Sequence, residues 1–184
     1  MNLKVVDNCS THDHTLKAIH LYTDASYDQN SKKGVAGVMV VKWREEPFTF
    51  DSNLASEAII NIKFFENTNC TSLEFEAIIW AMEALKELAL ETKIRIYTDC
   101  KSAVDLPRRR KHLENTQFIS KRTGALLNNT SLYIKFFKLL DCLNPELVWV
   151  KGHKPAVERS LTDHLFNMVD KATRKALREV KLGK

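Results

Sequence analysis

The sequence predicts an α/β fold: a five-stranded mixed sheet, three antiparallel strands followed by two parallel ones, flanked by helices. Three observations carry this. Apolar strand-like runs fill the first third of the chain, and helical periodicity takes over near residue 72. Two later strands each follow a helix, which calls for right-handed parallel crossovers. Finally, "LYTDAS" (21–26) and "IYTDCKSA" (96–103) carry the same Tyr-Thr-Asp in matching frames.

Residues 18–25 read as the first strand. The polar turn "DQNSKKG" leads to a second, "VAGVMVVKW" at 35–43, and "AIINIKFFE" at 58–66 is the third. Between them, "REEPFTFDSNLAS" is a long loop or a hairpin extension. Residues 72–90 form a helix with Ser72 as its N-cap. The strand 93–98 follows, then a helix opened by Asp99 and ended or bent by Pro107 and "RRRK". A helix at 130–143, a strand at 146–152 and a last helix capped by Thr162 complete the chain. The last helix aligns Leu165, Val169, Ala172, Ala176 and Val180 on one face. Residues 1–17 read as a polar tail, and 18–182 as a single domain.

Composition narrows the function. Of 184 residues, 44% are apolar and 28% charged, as in a soluble globular chain. The net charge is +5 and the pI about 9.0, which leans toward a polyanionic partner. Cys9, Cys70, Cys100 and Cys142 are scattered, without a C-x-x-C pair, and read as free thiols in a reducing cytoplasm. The sequence shows neither an eighteen-residue apolar run nor a secretory signal pattern. The expectation is a cytoplasmic monomer with no membrane contact.

The acids are more informative. If the two "YTD" strands lie side by side in parallel, Asp24 and Asp99 share one end of the sheet, where ligands of open α/β sheets bind. A strand-end Asp also commonly caps the next helix, and that reading applies to Asp99 taken alone. In the 72–90 helix, Ala77, Ile78, Ala81, Met82, Leu85 and Leu88 make one stripe, at about 100° per residue. Glu74 lies on its centre line, whereas Glu76 and Glu83 face solvent. A carboxylate on the core side needs a partner. Asp163 and Asp170 share a face of the last helix. The helix dipole explains an acid at Asp163 but not one at Asp170, so Asp170 is favoured as the functional acid. Converging carboxylates repel and are relieved by protons or divalent cations, and oxygen ligands favour magnesium or manganese. On a basic protein this points to phosphate ester chemistry.

These residues resemble the type 1 ribonuclease H family and the ribonuclease H domains of reverse transcriptases, over roughly residues 18–180. "LYTDAS" is similar to the family's first-strand motif, and "LEFEAIIWAMEAL" to its first-helix motif, which selects Glu74. "IYTDCKSA" matches through Asp99, "VWVKGHK" through the loop histidine His153, and "VDKATRKAL" through Asp170. The resemblance implies cleavage of the RNA strand of an RNA–DNA hybrid, leaving 5′-phosphate and 3′-hydroxyl ends. It implies two Mg2+ ions about 4 Å apart, with Mn2+ as a substitute, and no small-molecule cofactor. Asp24 would bridge both ions, Asp170 would serve the ion activating water, and Glu74 and Asp99 the one at the leaving oxygen. His153 would assist proton movement or product release. A basic stretch such as "RRRKH" (108–112) or "SKRTG" (120–124) grips the DNA strand in many members. The chain departs from the pattern at Lys101, where Gln is common, and in "NTNCTSLE" before Glu74. The interval from His153 to Asp170 is 17 residues, whereas a spacing of 10 would select Asp163. Alternatives are a nuclease of this fold with another duplex substrate, or a non-catalytic nucleic-acid-binding relative. Trp43, Trp80 and Trp149 are expected in the core. His12, His14, His20, His112 and His164 are expected to have no role in the site.

Overall fold

A computed structural model describes residues 3–8, 18–43, 58–86, 92–151 and 159–181. The strands are β1 (Val5–Asn8), β2 (Ala18–Asp28), β3 (Lys33–Trp43), β4 (Ile60–Phe65), β5 (Lys93–Thr98) and β6 (Glu146–Trp149). The helices are α1 (Cys70–Lys86), α2 (Lys101–Asn115), α3 (Thr130–Leu143) and α4 (Leu161–Lys181). As expected, β2, β3 and β4 are antiparallel, and β5 and β6 join in parallel beside β2.

The sixth strand departs from expectation. Part of the segment read as a polar tail forms β1, parallel to β3. The cause is an open edge: β4 pairs with Gly34–Met39 of β3, leaving Val40–Trp43 for β1. Asn61 clips the two pieces together. It accepts from the Lys4 amide (2.8 Å) and donates to the carbonyls of Lys4 (2.9 Å) and Val38 (3.2 Å). The 44–56 loop or hairpin extension lies outside the described residues.

Strand alternation builds two cores. Ile19, Leu21, Val38 and Val40 pack with α1, α2 and α3 on one face. Ala18, Tyr22, Met39, Val41 and Tyr97 pack with Leu165, Phe166 and Val169 of α4 on the other. Helix α1 is covered on two sides, by the sheet and by α3, where Phe75 meets Tyr133 and Phe136 edge-on. Glu76, expected to face solvent, is therefore half-buried, and burial raises its pKa despite Lys63 and Lys135 nearby. Glu83 is exposed as expected, paired with Lys135 at 2.8 Å.

Helix ends differ from expectation by a few residues, because side chains compete for the same free amides. Asn69, not Ser72, caps α1. Its Oδ1 accepts from the Ser72 amide (2.9 Å), its amide donates to Ser72 Oγ (2.8 Å), and Ser72 in turn bonds Asn129 (2.9 Å). Cys100, not Asp99, is the N-cap residue of α2. Ser160, not Thr162, caps α4 in a reciprocal box. Its amide and hydroxyl donate to Asp163 Oδ2 (2.8 and 2.7 Å), and its Oγ accepts from the Asp163 amide (3.3 Å).

Pro107 lies inside α2 and does not end it; the helix continues to Asn115. Ala103, Leu106 and Leu113 hold it against the core. Arg110 clamps α2 to α3 by donating to both oxygens of Asp141 (2.5 and 2.8 Å), and its Nε donates to Glu114 Oε1 on its own helix (2.7 Å).

Gly37, in mid-β3, is a point of close approach. A Cβ there would lie 2.5 Å from Thr173 Cγ2 and 3.0 Å from Val169 Cγ1 of α4. Gly37→Ala should therefore cost about 1–3 kcal/mol through overpacking, measured as a lower midpoint in urea denaturation. An unchanged midpoint would show that α4 can shift freely.

Candidate active site

The site forms where β5 stops and β2 continues. The two strands pair in parallel with Tyr22 opposite Tyr97, their rings stacked at 4.8 Å and 9°. Two residues on, Asp24 still belongs to β2, while Asp99 has left β5 for the turn into α2. The backbone there is fixed by the Cys100 amide donating to Thr98 Oγ1 (3.1 Å). With no strand beside Asp24 on that flank, α1 delivers Glu74 into the gap. One carboxylate oxygen from each of Asp24, Glu74 and Asp99 lies within 4.8 Å of the others.

The three acids have different surroundings. Asp24 is buried, Glu74 half-buried, and Asp99 exposed. Burial pushes Asp24 up to about 7, against the Thr173 hydroxyl and Arg174 that favour its charged form, and the charges of Asp99 and Asp170 push the same way as burial. Burial, then the charges of Asp24 and Asp99, pushes Glu74 up to about 9. Glu74 Oε2 is buried without a hydrogen-bond partner among the described residues. A carboxylate with an orphaned oxygen, grouped with two other acids, fits a hard divalent cation.

Asp170 is not within that group of three. It is half-buried on α4 and paired with Arg174 at 2.7 Å. It connects to Asp24 through one residue: Thr173 Oγ1 lies 2.6 Å from Asp24 Oδ2 and 3.0 Å from the Asp170 carbonyl. Asp163 is engaged by Ser160 at the start of α4, as the capping interpretation requires. His153 lies outside the described residues.

Thr173 escaped the sequence reading. It is fully buried and continues the inward face of α4 after Val169, in place of the expected Ala172. A hydroxyl four residues after a core valine was the available signal. The tryptophans divide: Trp43 and Trp80 are buried, but Trp149 is 45% exposed. Its indole donates to the Asp99 carbonyl (3.2 Å), and Lys101 Nζ lies 5.5 Å from the ring. An aromatic face and a lysine therefore stand at the rim of the acid cluster. His20 is buried among Tyr22, Trp43 and Tyr97, and burial, then Arg95, lowers its pKa to about 4. His112 and His164 are exposed, and His12 and His14 lie outside the described residues. Cys70, Cys100 and Cys142 are free thiols, as expected.

Of the basic stretches, Arg108, Arg109, Lys111, Lys121 and Arg122 are exposed, whereas Arg110 is held by acids. Among the described residues no helix is long and apolar enough to cross a membrane.

Comparison with known proteins agrees with this geometry. A curated ribonuclease H from Desulforamulus reducens is 28% identical over 154 residues, 82% of this chain and 86% of that protein. The crystal structure of LC9-RNase H1, a type 1 ribonuclease H with the type 2 active-site motif, superposes with a TM-score of 0.61 at 18% identity. It covers 89% of this chain and 75% of that one. The solution structure of the prototype foamy virus ribonuclease H domain gives a TM-score of 0.57 at 16% identity, over 86% and 92% of the two chains. The ribonuclease H family model matches residues 16–177, most of the chain, and with this sheet, this helix order and this acid cluster the chain belongs to the ribonuclease H family.

Proposed function

We propose that this ribonuclease H hydrolyses the RNA strand of RNA–DNA hybrids with divalent metal, leaving 5′-phosphate and 3′-hydroxyl ends. The observation that carries the reading is the convergence of Asp24, Glu74 and Asp99 at the end of β5, with a buried oxygen of Glu74 left without a partner. Asp24, Glu74 and Asp99 would hold Mg2+, or Mn2+ in its place, with Asp170 reached across Thr173. When bound, such ions polarise a phosphoryl oxygen and generate a nucleophilic water near neutral pH.

The chain's own residues supply the rest. Asp24, buried between strands and α4, is the fixed point of the site. Asp99, exposed at its mouth, faces incoming substrate. The exposed Arg and Lys side chains of α2 and the following loop attract the phosphate backbone. His153 is proposed to move a proton at the leaving oxygen. Lys101 and Trp149 at the rim favour contact with a nucleic-acid strand through charge and stacking.

Two results are expected. Asp24→Asn should stay folded by circular dichroism and lose cleavage of a labelled hybrid by on the order of a thousandfold or more. Equal cleavage by the variant sinks the assignment. Offering hybrid, RNA duplex and DNA duplex in parallel tests the substrate, and a preference for either duplex over hybrid selects another nuclease of this fold.

The metal-free chain should also lose stability as pH rises. Asp24 and Glu74 bind protons more tightly folded than unfolded, so their ionisation opposes folding. The loss begins above their unfolded values, 3.8 and 4.5, and is complete above about 7 and about 9. The melting temperature in chelator should fall between about pH 5.5 and about pH 8.5, and Asp24→Asn should flatten that fall. A variant profile parallel to wild type contradicts the buried-acid account.

A further inference from the structure

We infer that Thr173 is a positioning residue for the metal-binding carboxylate of Asp24: its hydroxyl fixes one oxygen of that group and so sets where the other points. The inference rests on the reading of Asp24 as a metal ligand.

The geometry is specific. Thr173 is fully buried. Its Oγ1 lies 2.6 Å from Asp24 Oδ2, within the range of a hydroxyl bonded to an ionised carboxylate. The hydroxyl has a single proton and several oxygen neighbours. Ser26 Oγ donates to it from β2 at 3.1 Å, and the Asp170 carbonyl lies farther off than Asp24, at 3.0 Å. With a cation at the site Asp24 is ionised; it is then the strongest acceptor within reach and has the shortest contact, so the proton goes there.

The side chain is also held mechanically. A β-branched residue has few allowed χ1 positions in a helix. The Thr173 methyl occupies the space that Gly37 leaves open on β3. Rotating the hydroxyl away from Asp24 means moving that methyl out of its seat. Strand β3, helix α4 and strand β2 thus meet at one side chain, and the same side chain touches the turn of α4 that carries Asp170.

Groups that orient a metal ligand commonly change metal affinity about ten- to a hundredfold when removed. Thr173→Val keeps the shape and deletes the donor, whereas Thr173→Ser keeps the donor and deletes the methyl. The full chain, its fold checked by circular dichroism, is titrated calorimetrically with Mn2+. Thr173→Val should bind about tenfold more weakly than wild type, Thr173→Ser within about threefold of it, and Asp24→Asn should lose the heat. If Thr173→Val does not fold, Thr173→Ala should show the same weakening. Thr173→Val binding like wild type while Asp24→Asn fails overturns the role of Thr173 and leaves the metal reading standing. Thr173→Ser binding as weakly as Thr173→Val also overturns it, because packing rather than the hydroxyl would then be responsible. Wild type and Asp24→Asn behaving alike overturns both readings.

Discussion

The parallel pairing of β2 with β5, in the register that sets Tyr22 opposite Tyr97, is the constraint on which the site depends. A strand alternates faces with a period of two, so a slip of one residue would turn one aspartate to the opposite face of the sheet. The stacked tyrosines, with His20 beside them and α4 over them, give this register a dry aromatic layer that a slipped pairing would lose. Burial, then the charge of Arg95, keeps His20 neutral within this layer.

The cluster itself opposes folding. Burial raises the pKa of Asp24 and of Glu74; the charge of Asp99 raises both further, and that of Asp24 adds to the shift of Glu74. The surrounding structure over-determines the arrangement. Asn69 and Ser72 fix the start of α1 and hence Glu74, Thr98 fixes the turn bearing Asp99, and Thr173 ties Asp24 to α4. Each of these is a short polar contact at an element end or seam. The apolar cores supply the free energy that holds the acids together.

Much of this was legible in the sequence, because it followed from periodicity. The repeated "YTD" frame placed Asp24 and Asp99 together, and helical geometry chose Glu74 over Glu76 and Glu83. Where the reading failed, the deciding interaction came from elsewhere in the fold. Glu76 looked solvent-facing because the sequence does not say that α3 lies behind α1. Ser72 and Thr162 looked like caps, but Asn69 and Ser160 won the amides. Pro107 looked like a breaker, but packing of Leu106 and Leu113 outweighs one lost backbone bond. Trp149 looked like core, and the short, four-residue β6 leaves it exposed. Thr173 depends on the absence of a side chain at residue 37, on a strand well over a hundred residues earlier.

The division of one β3 edge between β4 and β1 bears on which strand edges the sheet leaves open. A long open strand edge invites pairing with another chain. Here the outer flank consists of a six-residue and a four-residue strand running in opposite directions, so a visiting strand would meet a change of polarity partway along. On the far side, β6 offers four residues. Among the described residues, a sheet built around two eleven-residue strands thus ends in short, discontinuous edges that template a neighbour poorly. Crowding such a protein would then carry little risk of growth from sheet to sheet.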